Sequence, residues 1–399
     1  MVNVWGSIWL TSWALPAPLN VDLAAVIGPS HLSTGVTALE ASTSSPSILS
    51  EGVSSWILAA APSKDEVQLL RQAFAEFYGV DRDLARSEGL FSEVIGLWLK
   101  QPADERAALY RVRGDCYALL ADADKAIADY ATAIQLLQSP GGDKADPEEL
   151  PAALLGRARA YKSRGTDLAK ADAVQASKDY EAYLKLASRE EWDTDVELVE
   201  DGATRNPYAA WEWGSVLRQT GDWEAAGRAH ALAAQAFTEI GDRAHAVMSL
   251  TDAGIDYAAA NNVAEATSIL EKAIRQTQGV EARDTVLLQK VIAKEGEGRM
   301  ALAALLWNDS KEPNGKFQAE KILGDACVRL EQMQAQKSGK TSSTTALAPM
   351  STGLRFSIDD TTPAAMDISC YRFKNPAFLD KLGWPADLQK KVIKLETLR

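Results

Sequence analysis

Gly214 and Gly254 stand forty residues apart and open nearly the same run of small and apolar residues. From Gly254, Tyr257 follows after three residues, Ala266 after twelve, Leu270 after sixteen and Ala273 after nineteen; from Gly214, Gly221, Ala226 and Ala233 keep that register. A recurrence at this spacing describes a helical hairpin that cannot bury its own apolar face and must press it against a neighbouring copy. Glycine is less favourable than alanine inside a helix by about 1 kcal/mol, so glycines within good helical stretches need a packing reason. Close approach of the two helices of a hairpin supplies one.

The same pattern is present with uneven fidelity elsewhere. One copy begins at Gly114, with Tyr117, Ala126, Tyr130 and Ala133 in register, and another around Ala160, Tyr161 and Gly165 resumes at Ala176 and Tyr180 after six inserted residues. Ala319, Leu323 and Ala326 fit the second helix of a further copy, and Ala85, Leu90 and Val94 a degenerate first one. Asn261 and Asn262 stand where the turn glycine belongs, which asparagine tolerates because it visits the left-handed region. These residues resemble the tetratricopeptide repeat (TPR). The resemblance implies an all-α, TPR-type helical-hairpin solenoid of about five or six hairpins over residues 64–337.

The function classes shrink accordingly. The net charge of −13 argues against nucleic acid as a partner, because phosphate binding needs a basic face. Cys116, Cys327 and Cys370 lie far apart without metal spacing; the first two read as small buried hydrophobes, while a disulfide stays open for Cys370. His230 occupies a core position of its repeat, and His245 lies on the helix before the next one. With no paired nucleophile and base, no phosphate-cradling loop and no metal set, the expectation is no enzyme, no cofactor and no metal. A dense acidic run, Glu190, Glu191, Asp193, Asp195, Glu197, Glu200 and Asp201, lacks the glycine and terminal glutamate of a calcium loop and reads as a solvated linker. Arg205, Asn206 and Pro207 then open a helix holding Trp211 and Trp213, which cannot face the same way: one belongs to the core, the other is a natural anchor for a partner.

Residues 1–63 contain no Lys or Arg and are rich in small residues from Pro29 to Ser55, as in a flexible arm. Trp5, Trp9 and Trp13 recur every four residues and would line one helical face able to touch a membrane interface or a partner groove. Alternatively the segment is a targeting remnant, although the basic residues of a leader are absent. Residues 338–365 read as a Ser/Thr/Pro linker. Within 366–399, Asp367, Tyr371, Arg372, Phe378, Leu379, Trp384, Pro385, Leu388, Val392 and Leu395 form a compact module, with Leu388, Val392, Leu395 and Leu398 on one face of a last helix.

Some cytosolic TPR proteins grip the carboxylate end of a chaperone tail with Lys and Asn three residues before and one after the repeat glycine. Here those positions hold Arg111 and Asp115, Trp211 and Ser215, and Thr251 and Ile255, so that clamp is absent. Arg111, Asp115, Trp211, Ser215 and Thr251 remain candidates for contact with a protein partner, as does Trp384. The closing Tyr-Arg, Phe-Leu and Trp-Pro elements, the 211–236 hairpin, the stretch Leu287 to Trp307 and the helix around Ala326, Cys327, Arg329 and Leu330 together resemble the TPR-like lumen proteins of plant and algal chloroplasts. The six-residue insertion, the acidic run and the leader depart from that family. The resemblance implies residence in the thylakoid lumen and a scaffold role in photosystem assembly or stability, with a photosystem component as partner. The competing expectation is a cytosolic or secreted adaptor.

Overall fold

The computed structural model describes residues 61–140, 145–164, 170–188, 194–278, 280, 285–309, 314–337 and 370–395. Trp5, Trp9, Trp13, the 338–365 linker and Leu398 lie outside them. Among the described residues the chain is all-helical, and helices adjacent in sequence pack in pairs. The chain divides into two compact units, Met1–Leu150 and Pro151–Arg399, so the 64–337 segment is distributed over both.

The first unit contains α1 (Lys64–Tyr78), α2 (Leu84–Leu97), α3 (Ala103–Leu119) and α4 (Ala123–Leu137). Ser63 and Glu66 form a reciprocal capping box that starts α1, and the Asp83 and Asp122 carboxylates accept from the free amides of α2 and α4. Leu70, Phe74, Phe91, Val94, Leu109 and Val112 build the core between α1, α2 and α3.

The second unit contains α5 (Glu149–Ser163, entering it at Pro151), α6 (Lys170–Ala187), α7 (Asp195–Arg205), α8 (Pro207–Thr220), α9 (Trp223–Glu239), α10 (Arg243–Ala259), α11 (Val263–Thr277), α12 (Thr285–Asp309), α13 (Gly315–Lys337), a 3-10 turn (Cys370–Lys374), α14 (Pro376–Lys381) and α15 (Ala386–Ile393). The second half of the acidic run is therefore α7 and not a linker. Thr194 and Glu197 cap it reciprocally, and its other face buries Val199 and Ala203 against α6 and α8. Charged residues on an outward face say nothing about the inward one, which is why composition alone read this stretch as solvated.

Three hairpins share one contact. A Cβ placed on Gly114 would approach the Tyr130 ring to 3.0 Å, one on Gly214 the His230 ring to 2.6 Å, and one on Gly254 the Leu270 side chain to 2.6 Å. Each pair is separated by sixteen residues, so these glycines serve close helix contact as the sequence requires. A bidentate ion pair marks the same register: Arg113 to Asp129 (2.7 and 2.8 Å) is separated by 16 positions, and Arg157 to Asp179 (2.7 and 2.7 Å) by 22. The difference of six matches the insertion placed after Gly165. The turns inside the hairpins agree as well, with Ala121, Gly221 and Asn261, each seven residues past its repeat glycine, at positive φ.

Cys116 is buried and free, as expected. Cys327 is disulfide-bonded, which corrects its reading as a plain buried hydrophobe. Trp384 is enclosed in the core with Phe373, Leu379, Leu388 and Val392 rather than offered to a partner.

A candidate functional face on the first helices of the second unit

Asn206 accepts from the Ala209 amide (3.2 Å) and Pro207 occupies the first turn, so α8 begins where the sequence predicts. Its first two turns place Tyr208 and Trp211 beside Phe237 of α9 and His245 of α10. Tyr208 and Phe237 are 4.9 Å apart edge to face, Phe237 and His245 stack at 5.2 Å, and Trp211 lies 5.7 Å from His245. Phe237 is fully buried, whereas Tyr208, Trp211 and His245 are half-buried. At the edge of this aromatic group Asp242 caps α10 and accepts from His245 Nδ1 at 2.7 Å. Burial raises the Asp242 carboxyl, but the side-chain and backbone hydrogen bonds from His245, with the contact from Tyr208, together outweigh it and leave the carboxyl below its ordinary value.

Next to the rings lies a row of paired charges. Arg218 of α8 donates through Nη2 to the backbone carbonyl and Oδ1 of Asp252 (2.9 and 3.0 Å) and through Nε to Asp256. Asp252 also accepts from Trp211 Nε1 at 3.0 Å and from Lys294 of α12 at 3.2 Å, and Lys294 reaches Glu297 at 2.7 Å. His230 donates from Nδ1 to Asp256 at 2.5 Å, while its Nε2 faces the space of Gly214 without a hydrogen-bond partner. Burial would raise the Asp252 carboxyl, but the charges of Lys294 and Arg218 outweigh it and hold it well below the carboxylate range. Burial likewise opposes the charge on Arg218 and Lys294, and the facing carboxylates push both upward. The row continues toward α5, where Arg159 donates to Glu212 at 2.8 Å and Lys162 lies 3.8 Å from the same carboxylate.

Four bases (Arg159, Lys162, Arg218, Lys294) thus face four acids (Glu212, Asp252, Asp256, Glu297). A face neutralised from within has little to offer a strongly charged tail. Its carboxylates accept from structural donors, and the imidazole of His230 is closed off by α8. Among the described residues no group of three or more His, Cys, Asp or Glu is placed to hold a metal ion, and no helix is long and apolar enough to cross a membrane.

The residues singled out by sequence separate into two groups. Trp211 and Ser215 are half-buried on α8, with Ser215 Oγ donating to the Trp211 carbonyl at 3.1 Å. Thr251 is enclosed; its hydroxyl donates to the Val247 carbonyl, and its methyl occupies the space a side chain at Gly298 would need. In the first unit Arg111 and Asp115 are enclosed too. Arg111 donates to Asp115 (2.8 Å) and Glu149 (2.6 Å), and Tyr130 donates to Asp115 at 2.6 Å. Arg111, Asp115 and Thr251 do not line an open surface because these helix positions turn toward neighbouring elements. The expected division into one core and one partner-facing tryptophan is corrected: Trp211 and Trp213 are both half-buried, and Trp213 donates to Ser177 of α6 at 3.0 Å. Sequence reasoning missed Arg218, Asp252, Asp256 and Lys294, whose partners lie 34 to 42 positions away. Charged residues within apolar helix stretches were the available signal.

No family model matches the chain, and no curated protein matches it. Among solved structures, the crystal structure of BtubC (BKLC) from P. vanneervenii is similar at 16% identity, covering 74% of this chain and 100% of that one with a TM-score of 0.43. A likeness of this size carries no argument.

Proposed function

We propose that the protein is a non-catalytic scaffold built from TPR-type hairpins, two in the first unit (α1/α2, α3/α4) and four in the second (α5/α6, α8/α9, α10/α11, α12/α13), with α7 inserted. It holds another protein on the face shared by α8, α10 and α12. The observation that carries this reading is the half-buried group of Tyr208, Trp211 and His245 beside an internally neutralised row of charges. Aromatic side chains that are partly wet and held rigidly supply binding area with little ordering entropy. The neutral row favours a partner recognised by shape and ring contact over one recognised by net charge.

By its resemblance to the chloroplast TPR-like lumen proteins, the protein works in the thylakoid lumen as an assembly factor or peripheral subunit of a photosystem. The disulfide at Cys327 supports an oxidising compartment over the cytosol, since structural disulfides are rare where thiols are kept reduced. It fits a secreted adaptor equally well, and the mature amino terminus separates the two. Ala59, Ala60 and Ala61 fit an Ala-x-Ala cleavage site, so a start near Pro62 is expected after import and cleavage, whereas an intact Met1 speaks for a functional arm. Crosslinking in intact membranes tests the scaffold role: the protein is expected in a photosystem-containing complex, with Tyr208→Ser weakening that retention and Gly89→Ala leaving it unchanged. Recovery as a free monomer under all crosslinking conditions overturns the reading.

A further inference from the structure

The full chain carries three cysteines, Cys116, Cys327 and Cys370. Cys116 is a free thiol enclosed in the first unit, with its sulfur 3.7 Å from Ser87 Oγ. Cys327, half-buried on α13, is disulfide-bonded. With Cys116 unbonded, a bond made within this single chain leaves Cys370 as its other end. The backbone agrees with that count. Cys370 is the first residue of the 3-10 turn, and this turn packs on α13 although 43 positions separate the two cysteines.

The turn is also the hub of the carboxyl-terminal module. It touches α14 and α15 as well as α13, and its Phe373 is buried in the core that Leu379, Trp384 and Leu388 share with Leu302 and Leu323. The helices of the module span six and eight residues, too short to hold their form alone in water. Residues 338–369 join the module to α13. So long a connection leaves the undocked module many arrangements, and a covalent link between its hub and α13 removes most of them.

We propose that Cys327 and Cys370 form an intrachain disulfide that staples the carboxyl-terminal module to the last hairpin. In its formation each thiol loses a proton, the pair gives up two electrons and one S–S bond forms. The oxidant is the disulfide of a thiol oxidoreductase, which leaves as a dithiol. Cys116 stays outside this exchange, because attack needs access to the sulfur. The staple is independent of the aromatic face at Trp211, so its failure leaves the scaffold reading standing.

The full chain, made in an oxidising compartment, is unfolded in urea with N-ethylmaleimide and no reductant, then digested with trypsin. Mass spectrometry is expected to find peptide 322–329 joined to peptide 356–372, and peptide 114–125 alkylated. Peptide 322–329 alkylated, joined to itself or joined to 114–125 overturns the pairing. A second measurement reads the staple itself: after complete reduction of the folded protein, hydrogen exchange is expected to rise at least tenfold across 370–395 while α8 and α9 keep their protection. Unchanged exchange in the module overturns the staple. Where the native bond resists the reductant, Cys370→Ser supplies the unlinked state and the same pattern decides. Loss of protection throughout the second unit in that variant also overturns the proposal, because the bond would then hold the whole unit and not the module.

Discussion

Ala121 occupies a backbone position that two related turns give to Gly221 and Asn261. Its φ is 60°, in the region where a Cβ crowds the following carbonyl at a cost of roughly 1–2 kcal/mol. Ala121→Gly is therefore expected to raise the stability of the first unit by about 1 kcal/mol after the extra unfolded-state entropy of glycine is counted, read as a higher urea midpoint. A lower midpoint would show that the turn is not strained. Cys116 offers a second test in the same unit. Burial pushes its thiol up to about 12, against the lowering effect of its contact with Ser87. A thiolate is the reactive form, so iodoacetamide at pH 8 is expected to leave Cys116 unmodified in the native protein and to label it in 8 M urea, with the site located by mass spectrometry. Rapid native labelling would mean that the α2 and α3 contact opens readily.

At the level of elements, the repeat was legible and the inserted helix was not. Gly114, Gly214 and Gly254 announce themselves because a glycine inside a helix needs a neighbour close enough to justify it, and each has one. Asn206 and Pro207 announce the start of α8 through local cap chemistry. α7 has the same kind of signal in Thr194 and Glu197, but seven acidic residues across 190–201 hid it, since its buried side rests on only a few small residues. The charged row from Arg159 to Lys294 was hidden for a different reason: no local rule pairs Arg218 with Asp252 until two helices have been placed side by side. α7 also shows how one atom decides a docking. A Cβ on Gly202 would stand 1.9 Å from the Leu184 carbonyl oxygen of α6, a backbone atom that cannot turn aside. Gly202→Ala is expected to lift α7 from α6, exposing Val199 and Ala203. Hydrogen exchange of 195–205 should rise at least tenfold while α10 and α11 keep their protection. Unchanged exchange in α7 would mean that α6 shifts as a body to absorb the methyl group.

For the whole molecule, the two units carry buried carboxyl groups of opposite temper. Asp115 in the first unit is raised, because burial outweighs the favourable charge of Arg111. Asp252 in the second is depressed, because Lys294 and Arg218 outweigh burial. Linkage turns this difference into opposite responses to acid. The contribution of Asp115 is fully present below its unfolded value near 3.8 and is lost as pH rises through its higher folded value. The contribution of Asp252 is present above 3.8 and is lost only as pH falls through its lower folded value. Mild acidification from pH 7 toward 4 therefore relieves the first unit at Asp115 and leaves the Asp252 network of the second intact. Lys294→Met removes one of the two cations that hold Asp252 down, so burial draws its carboxyl upward and the acid limb of the second unit moves to higher pH. The loss at pH 7 is expected to be on the order of 3 kcal/mol, the scale for breaking a buried ion pair, and Asp252→Leu added to Lys294→Met should recover part of it. Urea titrations between pH 4 and 8, followed by hydrogen exchange, should show α8, α10 and α12 losing protection in the single variant while α1 to α4 keep theirs. Equal loss in both units would instead show that the chain unfolds as one cooperative block, in which a buried ion pair of the second unit is felt throughout the first.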